Sequence, residues 1–100
     1  MDEYQVLLYP QALRDLDDIY SYIAYVKFSL ENARNQTNRI RIAISKLQYI
    51  PYAHQDRIEG IYAGKGYKQL LIDNYIAIYK IDEENKIVYI VTIQYQRRNI

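Results

Sequence analysis

The sequence predicts an α+β domain in which an antiparallel helical hairpin packs on one face of a small, mostly antiparallel sheet. The stretch from Gly66 to Asn99 holds three apolar runs separated by short polar turns, a pattern typical of a β-meander. Two segments with helical spacing precede it, and a short apolar segment precedes them. The predicted order is strand, helix, helix and three strands, in one domain spanning residues 1–100.

The N-terminal elements are a strand and a helix. Tyr4–Tyr9 reads YQVLLY, which is short, apolar and compatible with a strand. Pro10 suits the first position of a helix, because its missing N–H costs nothing there. Apolar residues then recur at helical spacing, which predicts a helix ending at Val26 or Lys27.

The second helix begins with Ser29, which is a favourable N-cap residue. An apolar stripe at helical spacing follows. The helix should end near Tyr49 or Ile50, because Pro51 biases the preceding residue away from helical backbone. Only a few residues join the two helices, so they must form an antiparallel hairpin.

The remaining chain predicts a loop followed by the meander. Residues 51–66 contain turn residues without clear periodicity and could hold a short strand around Ile58–Tyr62. The three meander strands are Tyr67–Ile72, Tyr75–Ile81 and Ile87–Tyr95. We expect the meander to form the core of the domain. We also expect its last strand to bring Tyr95, Arg97 and Arg98 to a surface edge.

Composition excludes several classes of site. The chain has no cysteine and one histidine, which excludes a disulfide framework, a cysteine nucleophile and a His-rich zinc site. We expect no cofactor and no metal. No signal peptide is visible, and no apolar run approaches the roughly 18 residues of a spanning helix. The expected protein is soluble and cytoplasmic, without membrane contact.

The charges are unevenly distributed although the net charge is only +1. Residues 1–31 carry six acids and two bases, whereas residues 32–100 carry eleven bases and six acids. This asymmetry suggests a basic face able to meet nucleic acid or an acidic protein. The chain also has thirteen tyrosines. Most should lie in the core and at its rim, and a few should serve a partner surface.

An ordered set of segments carries a family resemblance. The segments are Pro10–Ile19, Tyr22-Ile23, Leu47 with Pro51, Gly66–Leu70, Tyr75–Tyr79 and Tyr95–Asn99. With these segments, the chain resembles the RelE/ParE superfamily of type II toxin–antitoxin toxins over nearly its whole length. The resemblance implies a growth-inhibiting toxin that a co-expressed antitoxin neutralises by wrapping around it. Without antitoxin, its apolar, tyrosine-rich surface should favour a homo-oligomer; with antitoxin, a toxin–antitoxin hetero-oligomer is expected.

The family has two branches with different targets. ParE-like members inhibit DNA gyrase, and RelE-like members are metal-independent, ribosome-dependent mRNA endonucleases. RNA cleavage by 2′-hydroxyl attack needs a base, an acid and positive charge near the phosphate oxygens. If this chain is an endonuclease, the resemblance makes its candidate catalytic residues Lys68, Tyr95, Arg97 and Arg98, with His54 a weaker one; Lys65 and Arg57 are further basic candidates. The structural alternative is that Lys68 and the Arg pair are solvated charges and Tyr95 is a rim aromatic.

Departures from the endonuclease pattern favour the ParE-like branch. The endonucleases usually carry an Arg in an Arg-apolar-apolar-Tyr strand motif, and the matching residue here is Ile76. The C-terminal His-Tyr pair of one endonuclease branch is also absent. Gyrase inhibition needs a docking surface and no catalytic dyad. We therefore expect a ParE-like gyrase inhibitor, with two alternatives: a RelE-like endonuclease and a binding module that has lost toxicity.

Overall fold

The computed structural model describes residues 3–97 and contains the predicted elements in the predicted order. The strands and helices are β1 Gln5–Leu8, α1 Pro10–Ser21, α2 Leu30–Ser45, β2 Lys68–Ile72, β3 Tyr75–Asp82 and β4 Ile87–Tyr95. A π-helical turn at Tyr22–Val26 extends α1, and short 3₁₀ turns occupy Lys46–Gln48, Pro51–Ala53 and Gly60–Tyr62. The α+β class is confirmed. Within residues 3–97, no helix has the length and apolar character needed to cross a bilayer.

The four strands form one sheet in the order β1-β4-β3-β2. Strand β1 runs parallel to β4, with Gln5 opposite Ile87, and the other neighbours are antiparallel. The helical hairpin is the crossover that this parallel pair requires. The predicted surface edge holds only for the end of β4, because this strand is an inner one where it pairs with β1. Only beyond Ile90, where its pairing with β1 ends, does one side of β4 lack a neighbouring strand.

A bulge in β4 decides which way the end of this strand faces. Tyr79 pairs with Ile90 and Ile78 pairs with Thr92, so Val91 is an extra residue. Side chains alternate between the two faces of a sheet, and one extra residue reverses the alternation beyond it. As a result, Tyr95 lies on the face that packs against the helices.

The core lies between the hairpin and this helix-facing side of the sheet. The helices contribute Ala12, Leu16, Ile40, Ile44 and Leu47, and the strands contribute Leu70, Ile72, Ala77, Tyr79, Val88, Ile90 and Ile93. Tyr79 is fully buried, and its hydroxyl donates to the carbonyl oxygen of Pro51 at 2.6 Å. Burial raises the pKa of Tyr79, so this phenol is a stable hydrogen-bond donor.

The predicted helix ends agree with the structure to within a few residues. The Ser29 hydroxyl accepts from the Asn32 N–H at 3.3 Å, which confirms the N-cap. The strand considered around Ile58–Tyr62 is wrong, because Gly60–Tyr62 is a 3₁₀ turn. Gly60 has a φ of 74°, which is incompatible with an extended strand.

Candidate functional site

Lys68 lies at the start of β2, on the helix-facing side and opposite Tyr79. Its Nζ donates to Asp56 Oδ1 at 2.9 Å and to the carbonyl oxygen of His54 at 3.1 Å. It also lies 6.0 Å from the centre of the Tyr52 ring. The Lys68 side chain is only 18% exposed. The ammonium therefore fastens residues 54–56 to the sheet, and the Asp56 carboxylate offsets its charge.

Tyr95 lies at the other end of the sheet, in a cleft of about 800 Å³ between the end of α1 and the end of β4. Its ring packs edge-on against Tyr75, with 5.7 Å between centroids. Burial raises the pKa of Tyr75, and the neighbouring Tyr95 and Tyr22 raise it further. The Tyr75 phenol in this cleft therefore keeps its proton at neutral pH.

The structure does not bring Lys68 and Tyr95 together. They pair with Tyr79 and Tyr75, on opposite sides of β3 and four residues apart along it. At about 3.3 Å per residue and 4.8 Å per strand, their Cα atoms lie on the order of 16 Å apart. Proton transfer needs groups within about 3 Å, or joined by one water. This arrangement does not provide a Lys68–Tyr95 acid–base pair.

The other described candidates join one or the other of these two groups. The His54 ring lies 6.5 Å from the Tyr79 ring, at the Lys68 end of the sheet. Arg97 is exposed just beyond β4, at the Tyr95 end. The adjoining Gln96 donates from its backbone to the Asn74 carbonyl at 2.8 Å, which ties this segment to the β2–β3 turn. Arg98 lies outside the described residues.

The face opposite the helices carries a lysine that the sequence reasoning missed. Lys80 Nζ lies 5.6 Å from the centre of the Tyr9 ring and 5.7 Å from that of Tyr89. A hydrogen bond with Tyr9 raises the pKa of Lys80, and this effect outweighs the opposite effect of burial, which lowers the pKa. Tyr67 also adds to this upward shift. We call Tyr9, Tyr67, Lys80 and Tyr89 the tyrosine–lysine face.

Ile76 and Ile78 lie on the same side of β3 as Lys80, because the side chains alternate. Ile76 is the residue that stands at the Arg position of the endonuclease motif, and it is only 4% exposed. The face opposite the helices therefore has the buried Ile76 where the endonuclease motif has an arginine. The alternation of side chains along β3 could have placed Lys80 on the face opposite the helices. This inference is possible only when it is known which face of β3 packs against the helices.

A separate cluster fastens the β3–β4 turn to the N-terminal segment. Glu83 Oε2 accepts from the hydroxyls of Tyr4 and Tyr52, both at 2.7 Å. The Lys86 ammonium donates to Glu83 Oε1. Hydrogen bonds lower the pKa of Glu83 to about 2, and the bond from Lys86 contributes more than those from Tyr4 and Tyr52. The bond to Glu83 also raises the pKa of Tyr52 to about 12.

Replacing Glu83 by glutamine should lower the Tm at pH 7, and this deficit should shrink steadily as the pH falls below about 4.5. The folded-state pKa of Glu83 lies below its ordinary value of 4.5. Stabilisation by the carboxylate is therefore complete above about pH 5 and is lost as the pH falls through 4.5 towards 2. Thermal unfolding of both proteins from pH 7 to pH 2.5, followed by circular dichroism, measures the difference. A deficit that does not change with pH would contradict the assignment.

The fold resembles solved toxins of toxin–antitoxin systems. It matches a chain of the chromosomal ParDE system from Pseudomonas aeruginosa, with a TM-score of 0.77, 20% identity, and coverage of 93% of this chain and 96% of that chain. The RelBE2 complex from Mycobacterium tuberculosis gives 0.65 and 20%, covering 98% and 97%. The archaeal RelE–RelB complex from Pyrococcus horikoshii gives 0.66 and 15%, covering 96% and 98%. At these identities the likeness shows the fold.

The family is shown by a match to a family model, whereas a search of curated proteins found no match. Residues 6–100 match the family described as the ParE toxin of the type II toxin–antitoxin system parDE. This match spans nearly the whole chain, in agreement with the fold and the segments that carried the resemblance. The chain belongs to the ParE toxin family of type II toxin–antitoxin systems.

Proposed function

We propose that this toxin inhibits growth in the cytoplasm by docking on DNA gyrase, without enzymatic chemistry. The dispersal of the candidate catalytic groups carries this proposal. Lys68 is held by Asp56 and His54, whereas Tyr95 lies on the order of 16 Å away. RNA cleavage requires these groups around one phosphate. Docking requires only a surface that fits its target.

We further propose that a cognate antitoxin binds this chain. The solved structures of similar fold include the RelBE2 toxin–antitoxin complex and an archaeal RelE–RelB complex. Beside the outer edge of β1 is a mainly apolar groove of about 280 Å³, lined by Val6, Leu8, Leu13, Leu16, Arg41, Ile44 and Ser45. An extended segment could pair with the β1 edge and place apolar side chains in this groove. This would cover a surface that otherwise favours self-association.

The purified toxin should inhibit DNA supercoiling by purified gyrase and should not cleave mRNA on stalled ribosomes. Lys68→Ala with intact folding should leave supercoiling inhibition unchanged, because the Lys68 ammonium is already occupied by Asp56 and His54. Induction of the toxin alone in bacteria should arrest growth. The absence of arrest would favour the non-toxic binding module, and mRNA cleavage without gyrase inhibition would overturn the proposal.

A second candidate is the RelE-like endonuclease, and the tyrosine–lysine face is the observation that favours it. An ammonium among tyrosine rings can hold a phosphate while the rings stack on bases. The same ribosome assay decides this alternative. If mRNA is cleaved, Lys80→Ala should reduce cleavage, whereas Lys46, which is exposed in the 3₁₀ turn after α2, provides a matched Lys→Ala control. Replacing Arg97 and Arg98 by alanine should abolish nuclease toxicity, and retained cleavage would remove both from the mechanism.

A further inference from the structure

The turn between the helices exposes an unusual amount of apolar surface. Within this hairpin tip, residues 22–30, five large side chains are at least half exposed: Tyr22, Tyr25, Val26, Phe28 and Leu30. Together they expose on the order of 500 Å² of largely apolar surface. The largest apolar patch on a typical soluble monomer covers about 300–600 Å² and is often functional. One nine-residue segment thus supplies as much apolar surface as such a patch.

Hydrogen bonds hold the tip in one shape. The Lys27 N–H donates to the Tyr22 carbonyl at 3.0 Å, which closes the π turn, and the Ser29 N–H donates to the Ile23 carbonyl at 3.1 Å. π turns within helices are frequent at functional sites. The tip is therefore fixed before binding, which reduces the entropy lost when a partner docks.

Phe28 adds backbone strain to this exposure. Its φ is 56°, in the left-handed region that bulky residues rarely adopt. Its side chain is 89% exposed, so packing within the fold does not compensate for the strain. Strained residues of this kind cluster at binding sites and switch regions. The chain thus holds an aromatic ring outward at the turn of the hairpin.

The charges around the tip indicate the chemistry of its partner. Within five residues of the tip, the exposed acids are Asp17, Asp18 and Glu31 and the exposed bases are Lys27 and Arg34, so acidic groups outnumber basic ones by one. Lys27 Nζ lies 5.6 Å from the centre of the Tyr22 ring. A complementary surface has an apolar floor for Phe28 and Tyr25, and a basic rim.

The size of the tip argues against a second copy as its main occupant. A symmetric dimer joined only through its two tips would bury at most on the order of 500 Å² on each copy, which is less than the roughly 800 Å² of a stable interface. A projecting turn also needs a concave surface, which another tip does not offer. We propose that the hairpin tip enters an apolar, basic-rimmed pocket on the protein target of the toxin. With gyrase as that target, the inference rests on the proposed function.

Phe28→Asn in the full-length toxin tests this inference. Asparagine tolerates left-handed backbone, so the variant should fold with an unchanged or higher Tm. Loss of an aromatic anchor should weaken binding to purified gyrase about 30-fold and relieve growth arrest. Ile58→Asn is the matched control, because Ile58 is 81% exposed in the loop before β2. It should leave affinity and growth arrest unchanged.

The remaining outcomes separate this inference from the gyrase assignment. Unchanged gyrase affinity and growth arrest in the folded Phe28→Asn protein would overturn the inference. Selective loss of antitoxin co-purification, or of self-association in sedimentation, would assign the tip to one of those occupants and also overturn it. If the parent toxin does not bind gyrase, but Phe28→Asn alone relieves growth arrest, the gyrase assignment fails and the inference stands. A parent chain that neither arrests growth nor binds gyrase would end both.

Discussion

Replacing Asp15 by alanine should destabilise the fold by about 3 kcal/mol. This carboxylate on α1 is 6% exposed and lies beside the part of β4 that has no β1 partner. Its Oδ2 accepts from the Thr92 hydroxyl at 2.5 Å and from the Ile93 N–H at 2.9 Å. Alanine would leave a buried N–H and a buried hydroxyl without this acceptor. Removing a charged acceptor from buried donors costs about 1–3 kcal/mol for each group.

Two neighbouring substitutions serve as controls for Asp15→Ala. Asp15→Asn keeps an oxygen that can accept from Ile93, so it should cost only about 1 kcal/mol. Asp17 is exposed on the same helix, and Asp17→Ala should stay within about 0.5 kcal/mol. Urea unfolding followed by circular dichroism gives the three free energies. Equal losses for Asp15→Ala and Asp17→Ala would show that the hydrogen bonds to β4 contribute little.

Replacing Leu47 by alanine should cost about 3–4 kcal/mol of unfolding free energy. Leu47 lies in the 3₁₀ turn after α2, is fully buried and belongs to the core cluster. Truncation removes buried methyl groups and leaves a cavity, which together cost about 2–5 kcal/mol for Leu→Ala. Since small domains have about 5–15 kcal/mol of stability, this loss would also lower the amount of folded toxin in cells.

Ile42 provides the control for Leu47, because it lies on α2 with 57% of its surface exposed. Ile42→Ala should change the free energy of unfolding by no more than about 0.5 kcal/mol. Leu47→Met, which approximately preserves volume, should cost less than about 1.5 kcal/mol. If all three variants unfold at the same urea concentration, the assignment of Leu47 to the core is refuted.

The sequence was sufficient for the regular elements because their signals are local. Helical spacing located α1 and α2, Ser29 marked the start of α2, and the polar turns separated the last three strands. The short strand considered at residues 58–62 failed where local signals conflicted. Ile58, Ile61 and Tyr62 suit a strand, but Gly60 adopts positive φ and turns the backbone into a 3₁₀ turn.

Features that depend on distant residues could not be read from local patterns. The β4 bulge interrupts the alternation after Ile90, so a regular strand would place Tyr95 on the wrong face. The parallel pairing of β1 with β4 depends on where the hairpin returns the chain. The candidate site shows the same limit. Lys68 was predicted to be catalytic from its place in the Gly66–Leu70 segment, which carries the family resemblance. Its contacts with Asp56 and His54 emerge only when residues 54–56 fold against the sheet.

The parallel β1–β4 pair also has a consequence for the order of synthesis and folding. Bonds from Tyr4 to Glu83 and from Asp15 to Thr92 join residues 79 and 77 positions apart. Strand β1 therefore has no sheet to join until residues 87–95 have left the ribosome. Such non-local pairing slows folding, because a long loop must close before its contacts form. The four-stranded sheet is therefore completed late, and the β1 edge that borders the apolar groove reaches its final place only once β4 is available.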